Sequence, residues 1–408
     1  MPPPSVLVLD VHRKAGASVI HSLHKGGLRV VAGSSKRINA GFFSRYCYKR
    51  VIHPCTETEK EVFQDWLIQF LRSHEIEMVF PISFSVYPTS EIQNEICQYS
   101  LYLAPQHNIF MNGYRKISTL KLAREIDIPI PKTWFIEDYA GDLDRLIADI
   151  SDWPVLIKPS VSIAARGITW CYNAEQLKAN YPLLTKTWGD CFVQDFVPPG
   201  RYQYKADWLV DYQQNGVAGF VFGKARWYPP AGGSSTLNFS TEKPEILEHA
   251  LRLLKHMKWV GYCDMDWIDD PRDNIPKLME INPRYPDTVE MGMNLGLDFP
   301  MMMYKLAHGE EFEIPKIANQ QMFLRFLPAD VMWFLTVDNK ARFNTWPNWF
   351  NFFDKRTKYQ LIYPHDPTVF LGYLLENLLM MGKPAFWNER LRITSRKQKI
   401  TQGNGNAK

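Results

Sequence analysis

"KLMEINPRYP", residues 277–286, sets a carboxylate, an amide and a guanidinium on alternate positions, Glu280, Asn282 and Arg284, among prolines. In an extended chain residues i, i+2 and i+4 point to one side. Three polar groups on a buried face would be costly without partners, so this face either meets water or receives something charged. The stretch "GYCDMDWIDDPRDNIPKLMEINPR" (261–284) reads as a hairpin. With its turn near Asp273, Asp266 falls opposite Glu280 and Asp264 opposite Asn282. Asp264, Asp266, Glu280, Asn282 and Arg284 then share one face, and Cys263, Met265, Trp267 and Ile281 take the other. Two carboxylates that close repel each other unless a cation intervenes. Oxygen donors with an amide suit hard Mg²⁺ rather than zinc, and Arg284 would reach an anion held there. Taken alone, the stretch fits equally a hairpin with its charges on the wet side.

Two lysines upstream weigh against that bland alternative. Lys158 ends the apolar run "WPVLIKPS" (153–160), just before the small-residue loop "VSIAARG" (161–167). Lys116 opens the helix expected in "RKISTLKLAREIDIPIP" (115–131), which Pro129 and Pro131 close. An ammonium at a strand end can reach phosphate oxygens. Between these and the hairpin, "DCFVQDFVPPG" (190–200) is a strand, and "YKADWLVDYQQNGVAGFVFGKARW" (204–227) a second hairpin turning at Asn215-Gly216. "PPAGGSSTLNF" (229–239) reads as a flexible loop and "KPEILEHALRLLKHMKW" (243–259) as a helix.

The N-terminal part alternates strands and helices: "SVLVLD" (5–10), "AGASVIHSLHKGG" (15–27), "LRVVAGSS" (28–35), "KEVFQDWLIQFLRSHEI" (60–76) and "EMVFPIS" (77–83). That order predicts a small, parallel, doubly wound α/β unit. Its first turn, "DVHRKAGAS" (10–18), lacks GxGxxG, so dinucleotide binding has no support. At 408 residues the chain suits two or three domains. A net charge of +4 gives no global field for nucleic acid. The six cysteines show no metal spacing and read as reduced thiols of a cytoplasmic protein. "MPPPSVLVLD" lacks the basic start of a signal peptide, and "TVFLGYLLENLLMMGKPAFW" (368–387) is too short and polar to span a bilayer.

Taken in order, these stretches resemble the ATP-grasp superfamily over about residues 5–310, in particular the carboxylate–amine ligases and the carbamoyl-phosphate synthase and biotin carboxylase-like domains. The α/β start, the Lys116 helix, "WPVLIKPSVSIAARG", "FVQDFVPPG", "PPAGGSS" and "GYCDMDWIDD…KLMEINPR" match in sequence order. The resemblance implies five units: a pre-ATP-grasp domain (1–105), a small lobe with Lys158 and the phosphate loop (106–190), a large lobe with the metal hairpin (191–310), an aromatic-rich accessory region (311–385) and a basic, disordered tail (386–408). It implies ATP and two Mg²⁺ ions, replaceable by Mn²⁺, held by Asp266, Glu280 and Asn282. Lys116 and Lys158 would contact phosphates, with Ser160, Ser162 and Gly167 in the covering loop. Gln194, Asp195 and Val197 would line the adenine–ribose pocket. Arg284, with Lys158, would stabilise the transferring phosphoryl group.

Three departures stand out: one glycine in the loop, Asp127 where a glycine is usual, and "YPDTVE" (285–290) after Arg284, where substrate identity is expected to be decided. Arg226 is the candidate for holding a substrate carboxylate, and the Gly232–Ser235 loop, with Gly233 and Ser234, for closing over the acyl phosphate. Asp330 and Asp366 are candidates for acceptor specificity in the accessory region. The expected reaction is ATP-dependent joining of a small-molecule carboxylate to an amine through an acyl phosphate, in a homodimer without nucleic-acid partners. The alternatives are another acceptor on the same scaffold (carboxylase, thioester-forming ligase, small-molecule kinase) and a catalytically silent nucleotide-binding or scaffold protein. No biotin-enzyme feature is seen in the sequence.

Overall fold

The computed structural model describes residues 2–162, 166–198, 200, 202–230, 233–315, 317 and 321–382. Three sheets organise them. The first is all parallel, in the order β3-β2-β1-β4, from β1 (Ser5–Leu9), β2 (Arg29–Ser34), β3 (Cys47–Ile52) and β4 (Met78–Pro81). β1, β2 and β4 are apolar runs buried nearly throughout, as expected of strands covered on both faces. The helices Lys14–Lys25 and Lys60–Ser73 supply that cover from separate core clusters.

The second sheet has four strands in the order β5-β8-β6-β7: β5 (Thr133–Trp134), β6 (Val155–Pro159), β7 (Thr169–Cys171) and β8 (Cys191–Asp195). The third has seven, β13-β12-β9-β10-β11-β14-β15. These are β9 (Gln203–Val210), β10 (Gly216–Tyr228), β11 (Ser234–Thr241), β12 (Gly261–Asp270), β13 (Ile275–Asn282), β14 (Phe323–Arg325) and β15 (Thr357–Tyr359). One face of this sheet buries Cys263, Met265, Trp267 and Ile281 against the helix Pro244–His256. The other face is thereby left for polar groups.

Two expectations change. "PPAGGSSTLNF" is not a loop throughout, because Ser234 onward forms β11, paired with β10 on one side and β14 on the other. Gly232 lies outside the described residues. The stretch after 311 is likewise not set apart, since β14 and β15 extend the seven-stranded sheet and the helix Thr368–Met381 returns to residues Gly41–Phe43, where Gly372 lies against Phe43. The basic tail from 386 falls outside the described residues.

Buried charge ties the late segments down. Asp330 accepts from Arg226 Nε at 2.8 Å, Arg226 Nη2 at 3.0 Å, Arg325 Nε at 2.7 Å and Thr236 Oγ1 at 2.8 Å. Asp366 accepts from Ser44 Oγ at 2.6 Å and Thr368 Oγ1 at 2.8 Å, and meets His21 Nε2 at 2.8 Å. Glu290 accepts from Ser18 Oγ at 3.2 Å and Tyr363 Oη at 2.9 Å. Asp330 and Asp366 are thus spent on structure, contrary to the role in acceptor specificity expected of them. Removing one partner of a buried ion pair leaves the other charge uncompensated. Asp330→Ala should therefore lower the unfolding free energy by about 3–5 kcal/mol, read as a shift of the urea midpoint at unchanged slope.

Candidate active site

The polar face of the third sheet faces the second sheet. β12 and β13 pair Asp264 with Asn282, Met265 with Ile281 and Asp266 with Glu280, the register expected from the sequence, with a bulge directly after Asp266. Asp264 is fully buried, whereas Glu280 and Asn282 are partly open. Asn282 Nδ2 donates to Asp266 Oδ2 at 2.9 Å, and Arg284 Nη2 lies 3.4 Å from Asn282 Oδ1.

The repulsion anticipated between the acids is relieved by lysines that sequence reasoning missed. Lys205, on β9, donates to Asp264 Oδ2 at 2.5 Å and Asp266 Oδ2 at 3.2 Å. Lys224, on β10, donates to Asp266 Oδ1 at 2.6 Å. Burial acts to raise the Asp266 carboxyl, but Lys205 and Lys224 outweigh it and hold the group far below the ordinary carboxylate range. Deeper in, Asp207 lies opposite Asp264 across β9 and β12, accepting from Tyr262 Oη at 2.5 Å. Burial, then the neighbouring Asp264 charge, pushes the Asp207 carboxyl well above the ordinary carboxylate range.

From the second sheet's side, Lys116 Nζ sits 3.1 Å from Glu280 Oε2 and donates to Ser162 O at 3.0 Å. Lys158 Nζ donates to Gln194 Oε1 at 2.6 Å, and Gln194 Nε2 donates to Thr133 Oγ1 at 2.9 Å. Gln194 thereby orients Lys158. Burial lowers the Lys158 ammonium to about 8, with Glu280 opposing that and Lys116 adding to it. Ser160 Oγ is buried with no hydrogen-bond partner among the described residues. Gly167 has φ +79°, and a Cβ there would meet Pro159 and Trp188 at 2.6 and 2.9 Å, so only glycine fits the loop's return. Asp127, standing where a glycine is usual, adopts φ +55°, the left-handed region that aspartate tolerates better than most residues.

Other candidates fall at the margins. Asp195 is paired with Arg272 at 2.7 Å, and Val197 is buried nearby in sequence. Gly233 and Ser234 open β11, and a Cβ on Gly233 would strike Tyr228 O at 2.3 Å. Arg226 is not available for a substrate carboxylate. Its guanidinium is buried on Asp330, donates to Pro347 O at 2.7 Å and lies over the Trp333 ring. The bulge in β10 between Lys224 and Arg226 separates their directions, so Lys224 rather than Arg226 reaches the acids.

The oxygen donors suit a hard divalent ion: one carboxylate each from β12 and β13, plus an amide oxygen. Among the described residues no three of His, Cys, Asp and Glu gather as a metal site. Mg²⁺ takes one or two carboxylates and completes its shell with water and substrate phosphates. Lys116, Lys158, Lys205, Lys224 and Arg284 surround three carboxylates, Asp264, Asp266 and Glu280, so the centre favours a polyanion. A titration of ¹³C-methylated lysines should show a resonance with a midpoint near 8 that is absent in Lys158→Arg.

No protein-family model matches the chain, and no curated protein matches it. Solved structures do. The biotin carboxylase domain of 2-oxoglutarate carboxylase from Hydrogenobacter thermophilus is 16% identical, over 79% of this chain and 74% of that one, with a TM-score of 0.62. Biotin carboxylase from Campylobacter jejuni is 14% identical, over 78% and 74%, at 0.62. Pyruvate carboxylase from Rhizobium etli is 13% identical, over 77% of this chain and 29% of that much longer one, at 0.62. The fold is thus that of these biotin carboxylase domains.

Proposed function

We propose that this ATP-grasp chain is an ATP-dependent ligase that phosphorylates a small-molecule carboxylate and passes the acyl group to an amine. The observation that carries the reading is the convergence of Lys116 and Lys158 with Asp266, Glu280, Asn282 and Arg284. In support, the Hydrogenobacter thermophilus domain was solved with MgADP, ADP and bicarbonate. A division into units at about 105 and 190, with the residues after 310 joined to the large lobe's sheet, and a cytoplasmic location belong to the same reading. Among the described residues no helix is long and apolar enough to cross a membrane, and all six cysteines are free thiols.

A carboxylate resists amines because its leaving group is poor. Transfer of the γ-phosphoryl group to its oxygen makes an acyl phosphate, and attack by the amine then expels phosphate. Lys116 and Lys158 hold the phosphates, and Arg284 faces the charge that spreads over the transferring group. Asp266, Glu280 and the Asn282 amide oxygen would hold Mg²⁺, which supplies Lewis-acid neutralisation of the phosphate oxygens. Nucleotide phosphates draw Lys116 from Glu280 and Lys224 from Asp266, releasing those carboxylates as ligands. Gln194 keeps the Lys158 ammonium aimed, and Ser160 Oγ gains the acceptor it lacks.

Bicarbonate as phosphoryl acceptor is the second reading, favoured because the structural neighbours are biotin carboxylases. ADP release should be measured with pooled carboxylates plus amines, and separately with bicarbonate with and without biotin. Stimulation by a carboxylate–amine pool, reduced at least about a hundredfold in Glu280→Ala, is the expected result. ATP bound without turnover in any arm would sink the ligase reading, and turnover with bicarbonate alone would select the second. The affinity for an ATP analogue should fall as pH rises through about 8, because Lys158 is charged below that value and neutral above it. In Lys158→Arg this decline should vanish.

A further inference from the structure

A cavity of about 190 Å³ lies between the start of the helix Lys14–Lys25 and the helix Thr368–Met381. Lys14, Lys36, His12 and Glu376 supply its polar wall, while Leu361 and Met380 contribute apolar surface. Lys14 is the anomaly. Its side chain is only 17% exposed, yet its nearest carboxylate, Asp287 Oδ2, stands 3.9 Å away, beyond hydrogen-bond reach. That oxygen is already taken by Arg13 Nη2 at 2.9 Å. The Lys14 ammonium also lies over the Phe326 ring, 4.2 Å from its centroid. Among the described residues no acceptor stands within hydrogen-bond distance of this ammonium, so its three donors are left to whatever fills the cavity.

The other charges leave the cavity positive. Lys36 and Glu376 pair across it at 2.8 Å and cancel. His12 is uncharged at neutral pH, because burial lowers it to about 4 against the opposing pull of Asp10. Lys14 shares its nearest carboxylate, Asp287, with Arg13, so the wall carries more positive than negative groups. Asp287, which lies in the "YPD" segment just past Arg284, feels Arg13, Lys14 and Arg284 together and is lowered to about 2 despite its burial. Asp287 thus feels both Arg284 and the Lys14 ammonium that lines the cavity.

We propose that this cavity binds a small carboxylate-bearing molecule, its carboxylate on Lys14 and its aliphatic part against Leu361 and Met380. Resting on the ligase reading, the bound acid is either a substrate of the reaction or an effector of it. The Lys36–Glu376 pair at the wall is poised to receive a second polar group, so an acid carrying an amine or a second carboxylate should outcompete a plain aliphatic acid.

The test is calorimetric titration of the intact chain with short monocarboxylates, dicarboxylates and α-amino acids, with their primary amides and inorganic phosphate as comparators. At least one carboxylate series should bind while its amides do not, with affinity about tenfold or more weaker in Lys14→Met, the loss expected for a charge-assisted hydrogen bond. Thermal unfolding of Lys14→Met without ligand should be unchanged or raised, since a largely buried charge is removed. Equal binding of acids and amides, binding unaltered in Lys14→Met, or tighter binding of phosphate than of every acid would each overturn the proposal. Lys36→Met serves where Lys14→Met fails to fold, and should weaken difunctional acids most. Titration without nucleotide separates the two claims: acid binding without turnover leaves the cavity standing and the ligase reading failed. Turnover with an acid that Lys14→Met handles with unchanged KM does the reverse. An acid that binds and is consumed is the substrate, and one that binds and only alters the rate is an effector.

Discussion

Setting Asp266 across a strand pair from Glu280, with Asp264 two residues away, is tolerable only if positive charge reaches each acid, and most of the site's arrangement follows from that requirement. Lys205, Lys224 and Lys116 come from three other elements to satisfy it. None of the three can be fully neutralised by its acid alone in a partly dry setting, and each retains donors that a phosphate oxygen could take. The ion pairs are therefore weak evidence of stability and better evidence of an exchangeable state. A polyanion with its metal offers the lysines new acceptors and offers the acids a new cation, so charge is exchanged rather than created.

The hairpin was legible in the sequence because its information is local. Alternation decides which side chains share a face, and the apolar partners Cys263, Met265, Trp267 and Ile281 allow only one face to be buried. The parallel N-terminal strands and the Lys116 helix were readable for the same reason. Lys205 and Lys224 were not, although both stand at alternate positions in strands that were identified. Their role depends on β9 lying between β12 and β10, a sheet order no short stretch encodes. Arg226 was misread for a still more local reason. Two-residue alternation would have put it beside Lys224, but the β-bulge redirects it onto Asp330.

The segment after residue 311 was the least legible. Its aromatics suggested a separate accessory body, yet β14 and β15 are three residues each and acquire meaning only as continuations of β11. Strands so short carry almost no periodic signal. Their anchors are likewise distant in sequence: Asp330 answers Arg226, and Asp366 answers His21 and Ser44. In each case the buried charge was visible and its partner was not.

The contact of the helix Thr368–Met381 with Phe43 has a consequence for how the chain is made. Gly372 closes over that ring with no room for a side chain, joining surfaces more than 300 residues apart in order of synthesis. During translation the parallel sheet can form early, since its strands are contiguous, but Phe43 and the rim around His12 and Lys36 stay bare until the late helix leaves the ribosome. Between Phe43 and Gly372 more than 300 residues must be made before this contact can close.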